Sequence, residues 1–116
     1  MAMIVRQGDV SAFDFDGLEI RDYTATLDLS SSFAAITVPP GGTHRVSWSQ
    51  RSDKYYYVLY GRVEFTDGDR TLVLTEGDFC VVRRGDRFSY RNVSTEPARL
   101  CLFHTPSFDA GSEEFE

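Results

Sequence analysis

Turn-forming residues divide this chain into short segments, and their spacing constrains the fold more than any other feature. Turn signals arrive about every eight to twelve residues along the chain, and they include Pro39-Pro40-Gly41-Gly42, Asp67-Gly68-Asp69, Glu76-Gly77-Asp78 and Arg84-Gly85-Asp86. The segments between the clusters are rich in β-branched and aromatic residues, and none shows a helical periodicity longer than a turn or two. The sequence therefore predicts an all-β sandwich or barrel.

Individual strands can be placed between these turns. Arg62–Thr66 and Arg70–Leu74 are predicted to form a hairpin, because Gly68 adopts a positive φ at little cost. The other predicted elements are an apolar run at Phe33–Val38, a short buried strand at Phe79–Val82, a last long strand at Pro97–Thr105, and two or three short strands in Ile4–Leu29. The acidic run Ser112–Glu116 is expected to be a solvated end.

Length and charge restrict the range of functions. With 116 residues, the chain is expected to form one domain over residues 1–116, with room for one hydrophobic core. A net charge of −6 argues against nucleic acid as a partner, because phosphates need a basic surface. No apolar run approaches the roughly 20 residues of a membrane span, and no signal segment opens the chain. We therefore expect a soluble, cytoplasmic protein in which Cys80 and Cys101 are buried thiols.

The glycines and the residues between them follow a recognisable framework. Gly42 is followed by five residues, Trp48, one residue, Gln50, three residues, Lys54, six residues and Gly61. Gly77 is followed by five residues, Arg83, one residue, Gly85, two residues, Phe88, three residues and Asn92. This resembles the two motifs of the cupin superfamily, with motif 1 at 42–61 and motif 2 at 77–92. The resemblance implies a small cupin-type jelly-roll β-barrel.

The positions that carry metal ligands in cupins are all changed here. Trp48 and Gln50 replace the two histidines of motif 1, Lys54 replaces its glutamate, and Phe88 replaces the histidine of motif 2. Indole nitrogen and ammonium have no lone pair to offer a metal. We therefore expect neither a metal nor another cofactor. A relocated metal site that uses His44 and His104 is the alternative.

Strand alternation predicts which side chains line the pocket. If Trp48 and Gln50 face inward as in the family, so do His44, Lys54 and Tyr56, and Phe88 and Tyr90 face the same cavity. A β-bulge would reverse part of this set. We interpret His44, Lys54, Tyr56 and Tyr90 as catalytic, and Trp48, Gln50, Phe88 and His104 as substrate-binding, although the orientation of His104 is not fixed by the pattern. The catalytic residues have the chemistry of proton exchange, and the aromatic ones can stack on a flat ring.

Each of these residues also has a purely structural interpretation. Trp48 and Phe88 can fill the barrel with apolar volume, and Lys54 can cover apolar surface with its stem while its amine reaches solvent. His44 follows a Gly-Gly turn and can be a surface histidine.

Two functions are consistent with this pocket. The first is a metal-independent enzyme of isomerase, epimerase, cyclase or lyase type, which uses side-chain acid–base chemistry on a sugar-like or natural-product carbonyl substrate. The second is a non-catalytic cupin that binds or senses a small ligand. The retained polar residues favour the first, and the missing ligands disfavour a metal-dependent dioxygenase. In both cases the partner is a small organic molecule, with no nucleic acid and no membrane. Apolar outward positions on segments such as Tyr55–Tyr57 and Leu100–Phe103 predict a homodimer.

Overall fold

The computed structural model describes residues 1–116, and its regular secondary structure is almost entirely antiparallel strand. The strands are β1 (Phe13–Phe15), β2 (Leu18–Asp22), β3 (Ser32–Val38), β4 (Thr43–Ser49), β5 (Asp53–Tyr60), β6 (Arg62–Asp67), β7 (Arg70–Thr75), β8 (Phe79–Val82), β9 (Phe88–Arg91), β10 (Ala98–Thr105) and β11 (Glu113–Phe115). Single 3₁₀ turns at Gln7–Asp9 and Ala110–Ser112 are the only helical elements. No helix is long and apolar enough to span a membrane.

Two sheets form the jelly roll. One has six strands in the order β1-β2-β3-β10-β5-β8, and the other has five in the order β11-β4-β9-β6-β7. The predicted all-β jelly-roll class is confirmed. The predicted hairpin is the β6–β7 pair, whose register runs from Arg62 opposite Thr75 to Asp67 opposite Arg70.

The core lies between the two sheets. Its larger members are Leu18, Ile36, Val58, Val63, Phe65, Tyr56, Phe88, Tyr90 and Leu100, all of them buried. Phe88 of the five-stranded sheet packs against Tyr56 of the six-stranded sheet with ring centroids 5.7 Å apart, so the motif-2 aromatic belongs to the layer that joins the sheets. This aromatic layer packs against His44 and Lys54, which lie between the sheets.

Gly61 is a framework glycine whose role is visible in the backbone. It has a φ of +79°, and a Cβ atom there would lie 2.6 Å from the Cα of Ala98. Both the backbone conformation and the close approach of β10 therefore require glycine at the turn between β5 and β6.

Two predictions about strands are wrong. The acidic end of the chain is not simply solvated: Glu113–Phe115 form β11, which pairs with Ser47–Ser49 of β4. The strand Phe79–Val82 is not buried as a whole, because Phe79 and Val81 face outward at the edge of the six-stranded sheet. Both errors concern edge strands, where pairing and exposure depend on tertiary neighbours more than on local composition.

Candidate functional site

A cavity of about 370 Å³ lies between the two sheets and is mostly apolar. Eleven of its 17 lining residues are hydrophobic. The polar and ionisable lining residues are Asp22, Ser32, His44, Lys54, Tyr56, His104 and Glu113, and the aromatic walls include Phe13, Phe15, Phe33, Phe108 and Phe115. A concave apolar site with a few convergent polar groups is how small-molecule sites are usually built.

His44, on β4, is enclosed by aromatic rings. Its ring centroid lies 5.1 Å from those of Phe88 and Tyr90, 5.7 Å from that of Phe15 and 6.4 Å from that of Phe115. Its Nδ1 lies 2.7 Å from the carbonyl oxygen of Arg45. Because a carbonyl oxygen only accepts, Nδ1 carries the proton in the neutral ring and Nε2 carries the lone pair.

The surroundings of His44 keep it neutral. Burial lowers the pKa of His44 to about 4; the hydrogen bond to Arg45 opposes this shift, and the charge of Lys54 adds to it. At neutral pH the site therefore holds an imidazole base with a fixed tautomer.

Lys54, on β5, lines the cavity and pairs with Glu113 of β11. The Nζ of Lys54 donates to Oε1 of Glu113, and the two side chains are only 4% and 9% exposed. Nζ also lies 4.9 Å from the centroid of the Phe88 ring, a cation–π arrangement. Burial lowers the pKa of Lys54, while Glu113 opposes that shift by charge and by hydrogen bonding. The structure therefore does not support an amine that reaches solvent.

His104, on β10, is a further ionisable residue of the cavity lining, besides Lys54 and Glu113. It lies opposite Lys54 in the β5–β10 register, and its ring makes a T-shaped contact with Phe108 at 5.1 Å. Its Nε2 is buried and has no hydrogen-bond partner. Burial, with a smaller contribution from the charge of Lys54, lowers the pKa of His104 to about 3, so this imidazole too is neutral near pH 7. The orientation that the sequence left open is now fixed: His104 lines the cavity.

The two tyrosines predicted to be catalytic occupy different places. Tyr56 lines the cavity, and burial raises its pKa well above the usual value, so the phenol stays protonated. Tyr90 lies behind His44 and packs edge-on against Tyr56 with centroids 5.7 Å apart. Neither Tyr90 nor Phe88 is part of the cavity lining. Their predicted direct exposure to the cavity is therefore wrong: they support His44 and Lys54 from the core.

Trp48 and Gln50 do not face the cavity, contrary to prediction. The pairing of β4 with β9 shifts register between His44 and Ser47, so Ser47 and Ser49 become the inward residues. Trp48 instead packs under Arg87, whose guanidinium carbon lies 3.7 Å from the indole ring. Gln50 donates a 3.0 Å hydrogen bond to half-buried Glu114, whose side chain lies on the outer face of β11. A bulge reverses the faces of all residues that follow it, which explains both errors.

Several lining residues were not predicted from the sequence. Glu113 and Phe115 come from the acidic end of the chain, and Phe15 and Phe108 come from segments outside the two glycine motifs. One signal was present: a phenylalanine at position 115 is unusual in an otherwise charged solvated tail. The alternation of Glu113, Glu114 and Phe115 also fits a strand with one inward face.

The residues at the family's ligand positions do not fit a metal ion. Trp48 and Gln50 point away from the cavity, Lys54 brings an ammonium group, and Phe88 brings a ring without donor atoms. His44 and His104 both line the cavity, yet nowhere in the structure do three His, Cys, Asp or Glu side chains form a group that could hold a metal. The relocated site therefore lacks a ligand set.

Sequence comparison identifies the family. The model of the cupin domain family Cupin_2 matches residues 34–104, which include both glycine motifs. The chain belongs to the cupin domain family. No curated protein matches the chain significantly in sequence.

Solved cupin structures resemble the whole chain. Streptomyces Pac13, in a His-to-Gln variant with uridine, superposes with a TM-score of 0.86 at 19% identity, covering 100% of this chain and 92% of that one. Another Pac13 structure, with the same values, describes that protein as a nucleoside dehydratase. A predicted oxalate decarboxylase from Thermotoga maritima has a TM-score of 0.80 at 18% identity, covering 90% and 99%. KdgF from Halomonas sp. has a TM-score of 0.78 at 15% identity, covering 90% and 94%. At such identities the likeness shows the fold alone.

Proposed function

We propose that this cupin is a metal-independent lyase that removes water from a small hydroxylated carbonyl compound, with a nucleoside as the favoured substrate class. The observation that carries the proposal is His44, a neutral imidazole in an aromatic enclosure with Nδ1 held by the Arg45 carbonyl oxygen. This arrangement leaves Nε2 as a base of fixed orientation in a cavity of ligand size.

The reaction needs only proton transfers. Nε2 of His44 takes the proton from the carbon next to the carbonyl group, and the C–H electron pair forms an enolate. The carbonyl then re-forms, the bond to the hydroxyl on the next carbon breaks, and that hydroxyl leaves as water with the proton from the His44 imidazolium. The products are an α,β-unsaturated carbonyl compound and water, with no net oxidation, and His44 returns to its neutral form.

Two side chains are suited to stabilise the enolate oxygen. Tyr56 stays protonated because burial raises its pKa, so its hydroxyl is available as a hydrogen-bond donor. The ammonium of Lys54 uses one hydrogen bond on Glu113 and retains others for a ligand oxygen. The pairing with Glu113 also argues against Lys54 as a free amine nucleophile, because that role needs a neutral amine.

The nucleoside class is supported by the lining and by the fold relatives. Aromatic rings on several sides of the cavity suit a flat heterocycle. The Pac13 variants studied with uridine replace a histidine or one of two tyrosines. A histidine and two tyrosines also meet in this molecule, as His44, Tyr56 and Tyr90. Since an unmodified ribose has no carbonyl to acidify a C–H bond, the substrate would be a nucleoside already oxidised on its sugar.

The experiment uses nucleosides that carry an aldehyde at C5′ or a ketone on the ribose ring. Loss of about 18 Da by mass spectrometry and incorporation of deuterium from D₂O report elimination and enolisation. We expect turnover with the wild-type protein, and a loss of about 10²- to 10⁴-fold in His44→Gln, the usual contribution of a general base. Equal rates in the wild type and His44→Gln would overturn the proposal. Glu114→Gln is the matched control, because Glu114 lies on the outer face.

The second candidate function is a non-catalytic ligand-binding cupin, which the largely apolar lining favours. The same panel separates it from the enzyme. Saturable binding of a nucleoside with neither deuterium incorporation nor water loss is the result expected of a binding protein.

We further propose that the protein is a homodimer that pairs through the outer face of the six-stranded sheet. Tyr57, Phe79, Val81 and Phe103 are each at least 40% exposed there. The strand registers place them side by side, with Tyr57 opposite Phe79 on β8 and Cys101 on β10. A contiguous apolar patch of this kind is unusual on a monomer.

A further inference from the structure

Two buried polar atoms of the cavity have no partner in the protein. Oε2 of Glu113 and Nε2 of His104 are both fully buried, and neither forms a hydrogen bond. The Glu113 side chain is 9% exposed and His104 is 4% exposed, and both residues line the cavity. Leaving a buried polar group without a hydrogen bond destabilises the folded protein, and more so for a charged group, so such atoms are rare without a role.

The fold brings these two residues to Lys54 from opposite sheets. Glu113 belongs to β11 of the five-stranded sheet, and His104 belongs to β10 of the six-stranded sheet. Lys54 connects them, because it pairs with Glu113 and lies opposite His104 in the strand register. The Phe88 ring links this pair to the proposed base, because its centroid lies 4.9 Å from Nζ of Lys54 and 5.1 Å from the centroid of the His44 ring.

We propose that Glu113 and His104 form a hydroxyl-binding subsite that holds the sugar part of the ligand beside Lys54. This inference rests on the proposed function for the choice of a nucleoside, and it assigns Glu113 and His104 as specificity-determining residues. A carboxylate oxygen only accepts hydrogen bonds, so Glu113 needs a donor from the ligand. A neutral imidazole nitrogen either accepts or donates, depending on the tautomer. A hydroxyl group can serve both atoms, because it donates one hydrogen bond and accepts others.

The charges of the subsite exclude other ligand groups. The only buried cation of the cavity, Lys54, is already neutralised by Glu113, and Asp22 adds a further carboxylate to the lining. A phosphate or carboxylate at this point would meet the Glu113 carboxylate without a free cation. An apolar group would leave both unpartnered atoms unsatisfied. An uncharged hydroxyl is the group that satisfies them.

The test is isothermal titration of uridine, 2′-deoxyuridine and 3′-deoxyuridine into the wild-type protein, Glu113→Gln, His104→Phe and the outer-face control Glu114→Gln. We expect the wild type and the control to bind uridine about ten- to a hundredfold more tightly than at least one deoxynucleoside, the factor for a hydrogen bond to a charged group. Glu113→Gln and His104→Phe should lose that preference. His104→Phe leaves the Lys54–Glu113 pair intact, so it remains informative if Glu113→Gln fails to fold.

Two outcomes overturn the inference. One is a wild-type protein that does not distinguish the three nucleosides, either because it binds all of them with equal affinity or because it binds none of them measurably. The other is a preference for uridine that persists in His104→Phe and in folded Glu113→Gln. The elimination assay is scored separately: a hydroxyl preference without turnover of oxidised nucleosides supports the subsite while the proposed lyase activity fails.

Discussion

Lys54 and Glu113 form an ion pair inside the cavity, between a central strand of one sheet and the C-terminal edge strand of the other. Burial of both partners makes the pair sensitive to removal of one charge. We expect Glu113→Ala to lower the free energy of unfolding by about 3–5 kcal/mol, because it leaves a buried ammonium without a partner. Urea unfolding followed by tryptophan fluorescence measures this change.

Removing both charges should be far less harmful. The double variant Lys54→Met/Glu113→Leu is expected to recover most of the lost stability, since an apolar pair of similar volume often replaces a buried ion pair without cost. Glu114→Ala, one residue away on the outer face, should change the free energy of unfolding by less than about 0.5 kcal/mol. A double variant as unstable as Glu113→Ala would contradict the role assigned to the unpaired charge.

The two histidines predict an unusual pH dependence. Their pKa values of about 4 for His44 and about 3 for His104 lie below the ordinary value of 6.5. Well above pH 6.5 both imidazoles are neutral in the folded and in the unfolded chain, so their effect on the free energy of unfolding does not change with pH. Below pH 6.5 the unfolded chain binds protons that the folded protein does not bind. Stability should then fall as the pH decreases from 6.5 through 4 toward 3.

NMR is well suited to this test, because the chain contains only these two histidines. We expect neither imidazole Hε1 signal to titrate near pH 6.5 in the folded protein. If His44 is the base, the acid limb of kcat/KM should lie near pH 4 rather than near pH 6.5. A full titration of either signal around pH 6.5 would contradict the buried, neutral imidazoles.

The sequence predicted the strands and the family well because both depend on short-range signals. The positive φ at Gly68 and the close approach of the backbone at Gly61 require glycine, so both positions can be recognised in the sequence. The spacing of the glycines is kept even where the residues at the ligand positions differ from those of the family. The inward orientations of Lys54 and Tyr56 followed from strand alternation. His44 was predicted to face inward together with Trp48 and Gln50, and the register shift separates it from them.

The rest of the site depends on long-range structure that local patterns do not encode. The register shift after His44 turns Trp48 and Gln50 outward, and the strand contains no Gly, Pro, Asn or Asp that would predict such a shift. Glu113 reaches Lys54 only because the chain end adds a strand beside β4, across 59 residues of sequence. An acidic tail is ordinarily solvated, so composition alone pointed the wrong way.

The bulge in β4 leads to a prediction about ligand affinity. Gln50→Ala should leave the affinity for uridine unchanged, because Gln50 contacts Glu114 on the outer face. Phe115→Ala should weaken binding about tenfold or more, because Phe115 lines the cavity and packs near His44. Titration calorimetry of the two variants side by side checks this. Weaker binding in Gln50→Ala than in Phe115→Ala would indicate that β4 has the other register in solution.

The C-terminal strand should control the environment of His44. Deleting residues 113–116 removes Phe115 from the His44 ring and opens one wall of the cavity to water. We expect the pKa of His44 to rise from about 4 toward 6.5, since burial is the main cause of its depression. NMR titration of the truncated protein gives the value directly. An unchanged pKa in a folded truncated protein would show that β11 does not shield the base.

The outer face of the six-stranded sheet should set the oligomeric state. If it is the dimer interface, the double variant Tyr57→Lys/Phe79→Lys should be monomeric, because these neighbouring exposed residues would place like charges in a desolvated contact. Sedimentation velocity over a range of concentrations compares it with the wild type. Leu72→Lys/Val73→Lys is the matched control, because those exposed apolar residues lie on β7 of the other sheet. If only the control variant is monomeric, the interface lies on the five-stranded sheet instead. A wild-type protein that stays monomeric at all concentrations would contradict the dimer.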